Sequence, residues 1–271
     1  MSSDEVGAMF AQERQSEIAE LVATTRRVNG AELARRFDVT METVRRDLGA
    51  LETAGRLRRV HGGAVSVDQS TSEEPAISSR QQLNTPEKRR IAQAAFTLLR
   101  RSGARAVVLD AGTTVGALAE LMVKSDSTLP DGQEQLVITH ALHIAAKLAD
   151  ASGIGLELVG GRVRKLTWAA AGGRAAEHYT RLRPDLAFVG CNGIHAAFGL
   201  STPDPIEAVV KSAVVQTARR VVVLCDSTKH EQETLMRFAT LDEVDTLITD
   251  RAPGPELSAA LEEADVEVVV A

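Results

Sequence analysis

Seven short apolar runs recur through the C-terminal part of the chain, at 106–109, 136–138, 156–159, 186–189, 221–225, 246–248 and 266–270. Most are separated by segments long enough to form a helix. A strand that is apolar throughout is one buried on both faces, and strands alternating with helices form βαβ units. The region is therefore predicted to be an α/β domain of Rossmann-like type, built on a mostly parallel sheet covered on both sides. At 271 residues the chain exceeds the usual single domain, so a second, smaller domain is expected.

Five of the runs end in short polar segments: Asp110-Ala111-Gly112-Thr113-Thr114, Thr139-His140, Gly160-Gly161-Arg162, Gly190-Cys191-Asn192-Gly193 and Asp226-Ser227-Thr228-Lys229. Ligands of open α/β sheets bind outside the carboxyl ends of the strands, so these segments are expected to converge. Gly112 allows close backbone approach, the following helix offers N–H groups, and Thr113 and Thr114 add hydroxyl donors, which together suit an anion such as phosphate. Neither a Walker A motif nor a G-x-G-x-x-G fingerprint is present, which weighs against a nucleotide. Arg162 and Arg164 follow a Gly-Gly pair and either clamp a phosphate or lie on the surface. Thr202-Pro203-Asp204-Pro205 reads as a helix cap, followed by Glu207 and Lys211 at the spacing of an ordinary stabilising pair. His140 and His143 have no third ligand nearby, so no metal is expected, nor any cofactor. Trp168 is read as packing.

The N-terminal part carries a different pattern. Ile18, Leu21 and Val22 recur at helical spacing, and Asn29 with Glu32 three residues later opens a short second helix through Leu33, Ala34 and Phe37. After a tight turn, Thr40 caps a third helix with the apolar stripe Val44, Leu48 and Leu51. Its opposite face presents Glu42, Thr43, Arg45, Arg46 and Gly49, side chains of the types that reach base edges and phosphates in the major groove. Residues 56–65 then alternate apolar and basic positions, including Arg58, Arg59 and His61, and turn at Gly62-Gly63, as a basic wing would. Residues 26–64 hold nine Arg and no Lys against five acidic residues, although the whole chain carries −6. That local excess suits a polyanion, and on charge alone it equally suits a solvated face. The predicted organisation is an extension at 1–12, a winged helix-turn-helix at 13–67, a polar linker at 68–84 and the α/β domain at 85–271.

Composition narrows the field further. Aromatic residues make up 3%, too few for the stacking platforms that hold single-stranded nucleic acid. Val221 to Cys225, the longest strongly apolar stretch, is far short of a membrane span, and Met1 to Phe10 carries Asp4 and Glu5 rather than a basic leader, so a cytoplasmic protein with no membrane partner is expected. Cys191 and Cys225, far apart in sequence, allow neither a disulfide framework nor a four-ligand zinc site and are read as buried and reduced.

ERQSEIAEL, AELARRFDVTMETVRRDLGALETAG and RLRRVHGGAV together resemble the DNA-binding domain of DeoR-family transcriptional regulators, and DAGTT, LVGGRVR, LSTPDPIEAVVK and VDTLITD resemble that family's sugar-phosphate sensor. The resemblance implies a repressor of a carbohydrate uptake or catabolism operon, relieved by a phosphorylated sugar, with fructose 1-phosphate the first candidate. It implies double-stranded operator DNA as partner, read by Thr40, Glu42, Thr43, Arg45, Arg46, Arg58, Arg59 and His61, and a homo-oligomer, dimer or tetramer. The implied effector residues are Asp110, Gly112, Thr113, Thr114, Thr139, His140, Gly161, Arg162, Asn192, Gly193, Thr202, Glu207, Lys211, Asp226 and Lys229. The sensor also resembles the ribose-5-phosphate isomerase fold group, which makes a sugar-phosphate isomerase the rival reading. Where those enzymes carry a GADEID-like loop with two carboxylates, this chain has Gly190-Cys191-Asn192-Gly193-Ile194-His195, which lacks both. His140 also replaces the family's usual Asn, and Cys191-Asn192 its usual Ala-Asp.

Overall fold

The computed structural model describes residues 11–25, 27–60, 62–66 and 75–271. The chain divides into two compact units, Met1–Glu73 and Glu74–Ala271.

In the first unit, helix α1 (Ala11–Thr25) and strand β1 (Arg27–Asn29) precede α2 (Gly30–Arg36) and α3 (Met41–Thr53), and a hairpin of β2 (Leu57–Val60) and β3 (Gly63–Ser66) follows. Both expected caps form: Asn29 Oδ1 accepts from the N–H groups of Ala31 at 2.8 Å and Glu32 at 3.4 Å, and Thr40 Oγ1 accepts from Thr43 N at 3.2 Å. Val44, Leu48 and Leu51 of α3 bury against Ile18, Val22 and Leu33. The hairpin turns through Gly62 at φ +79°, and β1 adds a third strand in the order β1-β3-β2. Three residues are too short to show any periodicity, so β1 is not visible in the sequence. Equally unheralded is Asp47, buried on α3, which accepts from Arg14 Nε at 2.6 Å and Gln15 Nε2 at 2.9 Å and so ties α1 to α3.

The second unit begins with α4 (Ile77–Gln82), α5 (Thr85–Ser102), β4 (Ala106–Leu109), α6 (Thr113–Val123), β5 (Gln135–Thr139), α7 (Leu142–Leu148) and β6 (Ile154–Leu158). A hairpin of β7 (Arg162–Arg164) and β8 (Ala169–Ala171) leads through α8 (Gly173–Tyr179) to β9 (Leu186–Gly190). Then come β10 (Gly193–His195), β11 (Gly199–Thr202), α9 (Pro205–Thr217), β12 (Val221–Leu224), β13 (Met236–Ala239), β14 (Thr246–Thr249), α10 (Pro255–Glu263) and β15 (Glu267–Val270). All seven apolar runs become strands of one sheet, ordered β15-β14-β12-β9-β4-β5-β6. Every neighbouring pair in it is parallel. Side chains alternate between two cores: Val107, Leu109 and Phe188 pack with α5, α6 and α7, whereas Val108, Val189 and Val223 pack with α8, α9 and α10.

The strand order locates the ligand crevice. From β4 the chain works outward through β5 to β6, then returns to place β9 on the other side of β4 and continues outward again. Loops leaving β4 and β9 therefore diverge, opening the space that such a reversal creates at the carboxyl ends of the strands.

One expectation about the start of this unit is corrected. Helix α4 lies inside the stretch read as linker: Ile77 is buried, its N–H donates to Leu166 O at 2.9 Å, and Lys88 Nζ donates to Arg80 O and Leu83 O. One buried apolar residue among polar neighbours leaves almost no periodic signal. Helix α5 begins at Thr85 behind Asn84, which is in the left-handed region at φ 51°, and Thr85 Oγ1 donates back to Gln81 O and Gln82 O. No described helix is long and apolar enough to cross a membrane.

Candidate functional site

On α3, Glu42, Arg45 and Arg46 are exposed and Thr43 is half-buried, so one face of the helix is free while its other face fills the core. Arg45 lies 3.7 Å from Glu42 one turn away, an exposed pair of little energetic weight. From the wing, the Arg59 N–H donates to Glu52 Oε1 at 2.7 Å, and its guanidinium lies near Gly49. Strand β2 thereby brings Arg59 beside α3. His61 and the side chain of Arg58 lie outside the described residues.

The second candidate site is a cleft at the carboxyl ends of β4, β9 and β12. Gly112, at φ 137° and ψ 161°, caps α6, a backbone conformation that side chains oppose. Thr113 and Thr114 follow in the first turn, where helix N–H groups lack intrahelical partners, and all three residues line the cleft. Asn192 from the loop after β9, Lys229 from the turn after β12, and Glu207 and Lys211 from α9 complete the predicted residues that line it. Lys211 Nζ donates to Asp110 Oδ2 at 2.5 Å and to Gly190 O at 2.8 Å, and Lys229 Nζ donates to Cys191 O at 3.0 Å. Lys211 thus answers the Asp110 carboxylate, whereas Glu207 is engaged by Thr167 and Arg164.

Other predicted residues stand behind the lining. Asp110 is fully buried, and its Oδ2 also accepts from Gly190 N at 2.9 Å, closing β4 onto β9. His140 Nε2 faces Asp110 Oδ1 at 3.5 Å while its Nδ1 contacts the Tyr179 hydroxyl at 3.0 Å. Burial, reinforced by Lys211 and His143 and opposed by Asp110, lowers the His140 pKa from 6.5 to about 4, so the imidazole is neutral near pH 7. Thr139 Oγ1 donates to Leu109 O at 2.7 Å, and Thr202 Oγ1 donates to Asn192 Oδ1 at 3.2 Å. Burial pushes the Asp226 carboxyl upward, but Lys229, the Thr228 hydroxyl and Lys88 outweigh it and hold the group below its ordinary range. Gly193 meets a packing demand: a β-carbon there would stand 2.3 Å from Gln232 O.

Gly161 and Arg162 do not join the cleft lining. They follow β6, an edge strand two places from β4, and both are exposed. Arg164 is the better-engaged arginine, pairing with Asp204 at 2.7 Å and Glu207 at 3.3 Å. Asp204 also accepts from Ile206 N at 2.9 Å, capping α9 as the sequence predicts. Trp168 is 57% exposed at φ 52°, which corrects its reading as packing. Arg80 and Thr167, which the sequence does not single out, also line the cleft, as does Cys191 from the segment after β9. Thr167 Oγ1 donates to Glu207 Oε1, a contact made by folding residues 40 positions apart. Among the described residues, no group of three or more His, Cys, Asp or Glu could hold a metal ion.

Comparison with known proteins matches residues 14–70 to the DeoR-like helix-turn-helix domain and residues 83–251 to the DeoR C-terminal sensor domain. The chain is 33% identical to the HTH-type transcriptional regulator GlpR of Haloferax volcanii, over 96% of this chain and 98% of that protein. It is 31% identical to the HTH-type transcriptional repressor GlcR of Bacillus subtilis, over 97% of each. Among solved structures it is similar to ribose 5-phosphate isomerase A of Methanocaldococcus jannaschii, at 15% identity and a TM-score of 0.38, covering 54% of this chain and 55% of that one.

Proposed function

Because the chain belongs to the DeoR family of transcriptional regulators, we propose that it represses a carbohydrate uptake or catabolism operon and that a phosphorylated sugar in the cleft relieves the repression. The chain is a regulator and not an enzyme: the relatives are named as transcriptional regulators and repressors. The loop at 190–195 also lacks the carboxylates on which isomerisation would rely.

One observation carries the effector reading. Gly112, Thr113 and Thr114 at the start of α6 face the same cleft as Lys211 and Lys229, which suits a phosphate dianion. Glu207, in the same lining, suits the hydroxyl groups of a sugar, because a carboxylate accepts hydrogen bonds and would repel the phosphate. Fructose 1-phosphate is the first candidate. On the DNA side, Thr40, Glu42, Thr43, Arg45 and Arg46 read an operator, and Arg58, Arg59 and His61 of the wing follow phosphates. A single helix-turn-helix reads a short site, so the active form is a dimer or tetramer on repeated half-sites. Gel-shift titration on the promoter of the neighbouring operon with a panel of phosphosugars tests the proposal; failure of every phosphosugar to release the DNA would refute the effector assignment.

A further inference from the structure

The parallel strands β9 and β12 are neighbours, with Gly190 opposite Leu224, and each is followed at once by a cysteine. The Cys191 and Cys225 sulfurs consequently lie 3.4 Å apart, although 34 positions separate them. Both are free thiols. Both are buried in the core, Cys191 at 6% exposure among the residues that line the cleft and Cys225 behind it at 1%. A disulfide needs the sulfurs at about 2.05 Å, a closure of little more than an ångström. We propose that Cys191 and Cys225 are a thiol-oxidation site, at which a peroxide converts the pair to a disulfide that weakens phosphate binding in the cleft.

The order of events follows from position. Cys191 meets the oxidant first, since it alone of the two is among the cleft-lining residues and is the less buried of the pair. The thiolate is the nucleophile, and the Cys225 sulfur, Lys229 and Lys211 together hold the Cys191 thiol below its ordinary range against the opposing effect of burial. Cys225 is pushed the other way, by its neighbour and by burial, so Cys191 and not Cys225 is the thiol that attacks the peroxide. In the first step the Cys191 sulfur attacks the peroxide, the O–O bond breaks, and a sulfenic acid forms as the alcohol or water leaves. In the second, the Cys225 sulfur attacks the Cys191 sulfur, the S–O bond breaks, and water leaves with the Cys225 proton. Two thiols and one peroxide thus give one disulfide, one alcohol and one water, and two equivalents of a thiol reductant reverse the change.

The link to the cleft is the backbone of the same segment. Cys191 O accepts from Lys229 Nζ, and the preceding Gly190 O accepts from Lys211 Nζ. Drawing Cys191 towards Cys225 moves the acceptors that aim both lysines. This step rests on the phosphate reading of the cleft, so the experiment separates the two. The full-length protein is treated with hydrogen peroxide and followed by intact mass and peptide mapping, by hydrogen exchange of the 110–115 and 190–193 segments, and by calorimetry with fructose 1-phosphate. The expected result is a loss of about 2 Da from one intramolecular 191–225 bond, reversed by dithiothreitol and absent in Cys225→Ser. Exchange in the two segments should change with it, and sugar-phosphate affinity should fall about tenfold, with bound ligand slowing the oxidation in turn. Oxygen adducts without a cross-link, or a cross-link that leaves exchange unaltered, would overturn the proposal. If the reduced protein binds no sugar phosphate, the effector reading fails while mass and exchange still decide the fate of the thiol pair.

Discussion

Lys211 on α9 donates its ammonium to the Asp110 carboxylate at the end of β4, joining residues 101 positions apart, with Asp110 fully buried. Removing one member of such a pair strands the other charge. Lys211→Met should therefore cost on the order of 3–5 kcal/mol in urea denaturation, whereas adding Asp110→Asn should recover much of it. If the double variant is no more stable than the single one, the pair does not hold β4 to α9 as described. Both variants should lose the response to sugar phosphate.

The two basic groups of the first unit should fail differently. Arg45→Ala or Arg46→Ala should cost about 1–3 kcal/mol on operator DNA, with little effect on random DNA, if that residue reads a base. Arg58→Ala or Arg59→Ala should weaken both and lower the slope of affinity against salt. Fluorescence anisotropy at several salt concentrations distinguishes the outcomes, and four variants that bind operator like the parent would refute the winged-helix interface.

Acid should destabilise the second unit partly through His140. Its folded pKa of about 4 lies below the ordinary 6.5, so the unfolded chain takes up the proton first, and stability falls as pH drops from 6.5 towards 4. The loss from this one group approaches about 3 kcal/mol. Asp226, held low by Lys229, loses stability in the same direction, so the diagnostic is a difference between proteins. His140→Asn, which cannot titrate, should show a flatter fall in urea midpoint between pH 7 and 4.5; identical pH profiles would show that His140 is already protonated in the fold.

The sequence made legible whatever is local and periodic. Val44, Leu48 and Leu51 announce α3, and the seven apolar runs announce all seven strands of the sheet. The DAGTT loop was readable because Gly112, Thr113 and Thr114 are consecutive and suit an anion wherever the strand ends. What stayed hidden depends on strand order: nothing in Gly160-Gly161-Arg162 reveals that β6 lies at an edge, so Arg162 looked as eligible as Lys229. Arg80 lines the cleft from among α4's polar residues, where almost no periodic signal exists, and the 3.4 Å approach of Cys191 to Cys225 is a consequence of β9 lying beside β12.

Operator DNA and a sugar phosphate should compete through one protein. A ligand shifts such an equilibrium only by its difference in affinity for the two states, and the shift is reciprocal. Calorimetry with fructose 1-phosphate and a panel of other phosphosugars, with and without saturating operator, measures this directly. One phosphosugar should bind, its unphosphorylated sugar should not, and operator should weaken its binding by the same factor by which it weakens operator binding; Thr114→Leu should abolish the effect. Affinity indifferent to operator, binding unchanged in Thr114→Leu, or turnover of ribose 5-phosphate by the purified protein would show that the cleft is not the effector site of a repressor.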